Sequence, residues 1–326
     1  FLSVAILFIF TLNFVMIGAN LSIFGNYNTK MKIALFARDF EKAWCSGLCQ
    51  IIKALIDKGV TLCYYKPFYD KLTAIPGYNF PESETYYDYN DLPSDTDIFL
   101  CFGGDGTFLE SITHIREKSI PIAGVNFGRL GFLTSADLNS AGKWIDDLIE
   151  GRYKIEKRTI LRIESNCLPE GFFPYSVNEV SLQKCDSTMI SVNLTIDGIE
   201  MPAYWSDGLV VATPTGSTAY SLSIGGPIVL PVSEVWIVAP IAPHNLNVRP
   251  MVVPDSVTLE MFVTARVGRA ILCLDSREVV IPSGSSVKIT KAPFTLNYIS
   301  LQEESFINAL KDKLRWGEDR RNSQII

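Results

Sequence analysis

One stretch constrains this chain more than any other: Asp97-Ile-Phe-Leu-Cys-Phe-Gly-Gly-Asp-Gly-Thr107. Its first six residues form a short apolar, β-prone run, which suits a strand buried on both faces of a parallel sheet. Phe108, Leu109 and Ile112 then recur at helical spacing, with Thr107 placed to open the helix. A strand, a glycine turn and a helix follow in direct succession. Three glycines in four positions let the backbone take positive φ and come close to a ligand, and the N–H groups at a helix start favour phosphate oxygens. In the middle of that anion-seeking turn stands a carboxylate, Asp105. It either closes an ordinary βα turn, since Gly and Asp populate turns anyway, or it works beside a bound nucleotide as a base or an indirect metal contact.

The surrounding chain has the same α/β character. Met31–Ala37 reads as a first strand, Phe40–Lys58 as an amphipathic helix ended by Gly59, and Val60–Tyr65 as a second strand. Residues 66–96, rich in Pro, Tyr and Asp, have no clear period and read mostly as loop. The helix after the glycine turn runs to Arg116, Pro121–Asn126 is another buried strand, and Gly128–Gly131 is a turn. Strands alternating with helices predict a Rossmann-like, three-layer domain with a parallel sheet over residues 31–139. Ligands of such sheets bind at the C-terminal strand ends, where Asp105 falls.

After a helix at Ser140–Glu150 the period changes. From Tyr153 to about Tyr298 short alternating runs dominate: Ile190–Ile196, the Asp197-Gly198 hairpin signal, Leu209–Ala212, Val235–Val238, Val257–Phe262 and Ala270–Leu274. This predicts an all-β, sandwich-like domain over 140–298. Residues 299–326 form a closing helix, Glu303–Leu314, that packs back, and a polar tail. Residues 1–29 carry no charge, Phe1–Ala19 is almost wholly apolar, and residues 1–30 are expected to stand outside the fold. The alternative is a membrane anchor, with Lys30 and Lys32 keeping the remainder on the cytoplasmic side. Either way the body is expected in the cytoplasm.

Composition excludes some classes. A net charge of −6 without a long basic run argues against nucleic acid as the main partner. The seven cysteines are scattered and contain no Cys-x-x-Cys pair, so they read as reduced thiols; Cys45 and Cys49 lack metal-ligating neighbours. No metal site is expected from the protein alone. The Walker sequence, the dinucleotide fingerprint and the protein-kinase motifs are all missing.

Four further stretches carry polar groups in unusual settings. Val177-Asn-Glu-Val180 puts two polar residues inside an apolar strand, on opposite faces. Trp205–Ser223 packs Asp207, glycines, a proline and a run of hydroxyls between a strand and a helix, offering many donors to phosphates and sugars. Gly225-Gly-Pro227 closes that segment. Ala239–Pro250 holds His244 between prolines; the other histidine, His114, lies in the helix after the glycine turn and reads as a surface or satisfied residue rather than a ligand.

Taken together, Gly103-Gly-Asp-Gly106, Asn178-Glu179, Asp207-Gly208, Thr213–Ser223 and Gly225-Gly-Pro227 resemble the NAD kinases, in order, from Met31 to the last helix. Gly-Gly-Asp-Gly alone is shared with diacylglycerol and sphingosine kinases; the hydroxyl segment is not. The resemblance implies transfer of the γ-phosphoryl of ATP to the 2′-hydroxyl of the adenosine ribose of NAD, with Mg²⁺ or another divalent cation on the ATP. It implies that Asp105 is the general base and that Gly106 lines its loop, with Gly103, Gly104 and Thr107 on the phosphate side. Asn178, Glu179 and Asp207 would bind NAD, and Thr218, Ala219, Tyr220, Ser221, Leu222 and Ser223 would contact adenine, ribose and phosphate. Thr188, Trp205, Thr215, His244 and Arg277 are further candidates. Trp205 stands where family members often carry a basic residue, and Arg277 where some carry Gln. The family also implies a homo-oligomer, dimer or tetramer. A lipid kinase and a non-catalytic dinucleotide sensor are the alternatives.

Overall fold

The computed structural model describes residues 31–127, 131–134, 136–137, 141–300 and 306–314. The apolar leader 1–30, most of the Gly128–Gly131 turn, the first residue of the helix read from Ser140 and the polar tail lie outside the described residues. Lys32–Ile326 forms one compact unit.

Its first sheet is built on β1 (Lys32–Phe36), β2 (Thr61–Tyr65), β3 (Glu84–Tyr86), β4 (Ile98–Phe102) and β5 (Ile122–Asn126), in the order β3-β2-β1-β4-β5. All neighbours here are parallel. Every residue of β4 is buried, as its unbroken apolar run requires. On one face Phe99 and Cys101 pack with Phe108 and Ile112 of α3 (Asp105–Ile115). On the other, Phe102 meets Phe127 and Phe68. That face also carries α1 (Cys45–Asp57) and α4 (Ala141–Ile149), which touch each other. The layers are therefore helix, sheet, helix, as the alternating pattern predicts.

Within 66–96 the structure departs from the loop reading. Lys66–Thr73 is a helix, α2, with Pro67 in its first turn, and Phe68 and Leu72 buried one turn apart. Proline at a helix start loses no hydrogen bond, so it begins this helix rather than breaking it. The three-residue strand β3 follows, its Tyr86 fully buried under the sheet edge. The first helix is also shorter than the span Phe40–Lys58: α1 begins at Cys45, behind a single 3-10 turn at Lys42–Trp44.

Beyond α4 come β7 (Lys154–Arg158) and, much later, β21 (Leu296–Ser300); both join the first sheet, continuing the order β5-β21-β7, while β6 (Ala136–Asp137) pairs with β5. β21 runs parallel to β5 and antiparallel to β7. The strands flanking the β-rich stretch thus complete the α/β layer.

Between them lie two antiparallel sheets. One has the order β16 (Met251–Pro254), β15 (Val235–Ile241), β14 (Gly208–Ala212), β10 (Glu179–Gln183), β18 (Arg269–Leu274), β19 (Arg277–Pro282). The other runs β12 (Ile199–Glu200), β11 (Ile190–Ile196), β17 (Leu259–Ala265), β20 (Ser286–Lys291), β8 (Leu161–Glu164), β9 (Tyr175–Ser176), with β13 (Tyr204–Ser206) pairing β11. β17 alternates buried and exposed residues without a break, so it gives one face to the core. Leu182, Leu209, Trp236 and Leu272 from one sheet meet Val192, Met261, Val263 and Ile289 from the other in a single apolar cluster, which makes this a sandwich. The β11–β12 hairpin turns at Asp197 and Gly198, φ 48° and 80°, as its sequence demands. The last helix is α6 (Phe306–Leu314).

Candidate functional site

The glycine turn leaves β4 at Phe102 and enters α3 at Asp105, with Gly104 as N-cap and no side chain capping the helix. Asp105, not Thr107, opens the helix. Of the three glycines one has positive φ, Gly103 at 148°, where a Cβ would also run into the Thr107 side chain. Thr107 is folded over the turn. Gly104 sits at φ −88°, ordinary extended backbone, and Gly106 is helical.

The Asp105 carboxylate does not close its own turn. Its two oxygens accept the backbone N–H groups of Phe132 (2.8 Å) and Leu133 (3.0 Å), from the loop after β5. A Cβ on Gly131 would fall on that carboxylate, so the loop comes this close only because residue 131 lacks a side chain. Two amides from an adjacent strand–loop connection fix both the position and the plane of the carboxylate, which is what a base needs when catalysis rests on positioning.

The second group of residues lies at the start of β10. Asn178 and Glu179 are both buried. The Asn178 carbonyl accepts the Thr213 amide at 2.8 Å, and the Thr213 hydroxyl donates to the Val177 carbonyl at 2.6 Å. Gly216 packs so tightly on the Asn178 backbone that a Cβ there has no room. The hydroxyl segment is therefore pressed against the Asn-Glu pair. It forms a 3-10 turn at Thr215–Thr218 and a four-residue helix, α5 (Tyr220–Ser223), whose Tyr220 amide lies near the Glu179 carboxylate. Ser217 is spent on the chain itself, bonded to both N and O of Val229. Thr218 shares its hydroxyl with the Thr215 carbonyl, and Ala219 links Thr218 to α5. Leu222 and Ser223 are partly exposed on α5.

Four side-chain atoms in this neighbourhood are buried with no hydrogen-bond partner: Asn178 Oδ1, Glu179 Oε2, Thr215 Oγ1 and Ser221 Oγ. An unpaired buried polar atom costs about 1–3 kcal/mol, and four along one strand start and one loop mark a surface prepared for polar groups from outside. Burial pushes the Glu179 carboxyl up to about 8, and the nearby Asp275 carboxylate adds to the rise against the Tyr220 amide. At neutral pH Glu179 is mostly protonated and able to donate. Tyr220 is held protonated by burial and by Asp207, Cys273 and Glu179, which places Asp207 in the same electrostatic neighbourhood.

Asp207 stands between β13 and β14, and Lys184 Nζ pairs with it at 2.7 Å. This cation comes from the end of β10, not from position 205. Trp205 is half-exposed on β13, and its carbonyl accepts the His244 amide at 2.8 Å, so these two outlying candidates lie side by side. Thr188 spends both its amide and its hydroxyl on Asp186, and the structure gives it no bond to the Asn178–Glu179 group. Arg277 is half-buried, and its guanidinium donates to the carbonyls of Phe173 (2.5 Å) and Tyr175. The α3 side and the Asn-Glu side are joined by one core: Phe108, three residues after Asp105, and Val177, just before Asn178, belong to the same apolar cluster.

Sequence reasoning missed Asp275 and Lys184. Lys184 follows a strand as many surface lysines do, and Asp275-Ser276 reads as a plain hairpin turn. His114 is neither at the surface nor fully satisfied: it is buried among Phe36, Tyr65 and Tyr86, with Nδ1 unpartnered. Among the described residues no group of three or more His, Cys, Asp or Glu is arranged for a metal ion. No helix among them is long and apolar enough to cross a membrane.

Comparison with known proteins gives one family for both halves. Residues 25–153 match the ATP-NAD kinase N-terminal domain and residues 177–301 its C-terminal domain. The NAD kinase of Christiangramia forsetii is 36% identical over 299 residues, covering 90% of this chain and 100% of that protein. The NAD kinase of Cytophaga hutchinsonii is 44% identical over 227 residues, 69% of this chain and 78% of that one. Among solved structures, an Archaeoglobus fulgidus NAD kinase in complex with ATP superposes with a TM-score of 0.65 at 25% identity, covering 87% of this chain and 99% of that one. Yeast NADH kinase complexed with NADH has the same fold, with a TM-score of 0.79 at 22% identity over 90% of each chain. The lipid-kinase and sensor readings draw no support from these relatives.

Proposed function

This chain belongs to the ATP-NAD kinase family, and we propose that its residues divide the work of phosphorylating NAD between two groups. The activity is NAD kinase: phosphoryl transfer from ATP to an alcohol of NAD, giving NADP. Asp105 is the general base at the 2′-hydroxyl of the adenosine ribose. The observation that carries this role is its carboxylate, held on the glycine turn by the Phe132 and Leu133 amides. A ribose hydroxyl is a weak acid, but in a loose phosphoryl-transfer transition state its proton leaves late. Placement of the carboxylate then matters more than its strength as a base, and the two amides supply that placement.

Asn178, Glu179, Thr215 and Ser221 supply the unpartnered polar atoms that bind the dinucleotide. Thr218–Ser223 lies along it, and Asp207, paired with Lys184, serves its nicotinamide end. The start of α3, with Gly103, Gly104, Gly106 and Thr107, faces the phosphates. The ATP phosphates bring a divalent cation with them, Mg²⁺ by its chemistry, which neutralises charge on the transferring group. Bound there, Mg²⁺ would draw its ligands mainly from phosphate oxygens and water. The protein works in the cytoplasm as a homo-oligomer.

The test is NADP formation from NAD, ATP and Mg²⁺ by the full chain, with Asp105→Asn alongside. Turnover falls by roughly 10²–10⁴-fold in the variant, the usual worth of a general base, while NAD still binds. Full activity of Asp105→Asn refutes the assignment.

A further inference from the structure

The chain reaches Asn178 from β9, a strand of one sheet of the sandwich, and leaves Glu179 along β10, a strand of the other. Between the sheets, the amides of this short crossing need another acceptor. It is one carboxylate, Asp275, at the tip of the β18–β19 hairpin. Its Oδ1 accepts the amides of Asn178 (2.8 Å) and Glu179 (3.3 Å) and the hydroxyl of Ser176 (2.5 Å). Its Oδ2 accepts the amide of Val177 (3.1 Å). The Asp275 amide in turn donates to the Glu179 carbonyl at 2.9 Å. The side chain is 6% exposed, and the residue holds φ 51° at the turn, which carries its carboxylate under the crossing.

Two residues on, Arg277 grips the same segment from upstream. Its guanidinium spans the carbonyls of Phe173 and Tyr175, lies over the rings of Phe172 and Phe173, and approaches Asp275 Oδ2 at 3.8 Å. One hairpin tip thus fastens residues 173–179, taking N–H groups with an anion and C=O groups with a cation. Meanwhile two side-chain atoms of the pair, Asn178 Oδ1 and Glu179 Oε2, are buried with no protein partner to fix them. Their direction is set through the backbone.

We propose that Asp275 is a positioning residue of the dinucleotide site, seconded by Arg277: its carboxylate gathers three successive amides and so aims Asn178 and Glu179 at the ligand. This rests on the reading that the Asn-Glu pair binds NAD. The same carboxylate also faces Glu179, as do Cys273 of β18 and Tyr220 of α5, both neutral at physiological pH. Burial is the main cause that keeps the Glu179 proton in place, and the Asp275 carboxylate adds to it.

The experiment measures KM for NAD, KM for ATP and kcat in the full chain for Asp275→Asn, Arg277→Lys and Asn178→Ala. Asn keeps the size of Asp but turns a donor toward backbone donors. KM for NAD rises about tenfold in Asp275→Asn, the loss of one charged hydrogen bond, with KM for ATP and kcat within about threefold. Arg277→Lys keeps the charge but cannot span two carbonyls, and it shifts KM for NAD the same way by a smaller factor. This second variant decides the matter if Asp275→Asn does not fold. A raised KM for NAD in Asn178→Ala beside unchanged values in the two hairpin variants overturns the inference alone. An unchanged KM in Asn178→Ala as well overturns the ligand-binding reading of the pair, and this inference with it. Equal losses for both substrates make Asp275 merely structural and refute it.

Discussion

Acidification from pH 7 to pH 5 sets two buried groups against each other. His114 is packed among three aromatic rings, and burial holds its pKa down to about 4, against the partial counter-effect of Asp88 and Asp91. Its unfolded value is 6.5. Between these values the unfolded chain binds the proton and the native chain does not, so stability is lost as pH falls. Glu179 runs the other way: its native value is about 8 and its unfolded value 4.5. Here the native state holds the extra proton, and stability is lost as pH rises toward 8. Linkage makes each contribution about 2 kcal/mol between pH 7 and pH 5, with opposite signs. The parent's net change from this pair is therefore small, and each half appears only when the other is removed. His114→Phe, which fits the surrounding rings and removes the unpartnered Nδ1, should gain about 2 kcal/mol relative to the parent on going from pH 7 to pH 5. Glu179→Gln should lose about as much over the same interval. Urea unfolding of parent and both variants at pH 5, 6 and 7 measures this, because other titrations cancel in the differences. Parallel pH profiles for all three proteins would refute the reasoning.

Three further outcomes follow from the packing. Gly131→Ala puts a methyl group on the Asp105 carboxylate. It should lower kcat by at least about tenfold with NAD affinity retained, measured by steady-state kinetics and NAD titration. Gly216→Ala pushes the hydroxyl segment off the Asn178 backbone, so its main effect should be a rise in KM for NAD of about tenfold or more. Lys184→Ala leaves Asp207 without its partner but partly exposed; it should cost no more than about 1 kcal/mol of stability in urea unfolding.

The sequence announces those parts of this fold whose causes are local. The glycine turn, the Asp197-Gly198 hairpin and the alternation of β17 each follow from the residues at that place. The helix at Lys66–Thr73 was hidden because Pro67 punctuates a loop as readily as it starts a helix, and only Phe68 and Leu72 mark its buried stripe. β7, Lys-Ile-Glu-Lys-Arg, carries too much charge to look like part of a buried sheet; pairing with β21 makes it a strand. At the site, Asp105 and the Asn-Glu pair were visible because charged or amide side chains in apolar or glycine-rich surroundings are chemically odd. Asp275 was not, since its partners are 96 to 99 residues away and nothing next to it is unusual. Arg277 stood out as a departure, and its contacts with Phe173 and Tyr175 give it a place.

The position of β21 has a consequence for how the molecule is made. This strand stands between β5 and β7 in the first sheet, yet among the described residues it is the last strand. Until residues 296–300 leave the ribosome, β5 has only the two-residue β6 along its outer edge and β7 has no neighbour on which to zip. The α/β layer therefore cannot finish during synthesis of its own residues; it waits, edge exposed, while the whole sandwich is translated. A nascent chain stalled before residue 296 should bind chaperones that the released protein ignores. Expressing the two halves as separate polypeptides would leave the first lacking the strand that closes it.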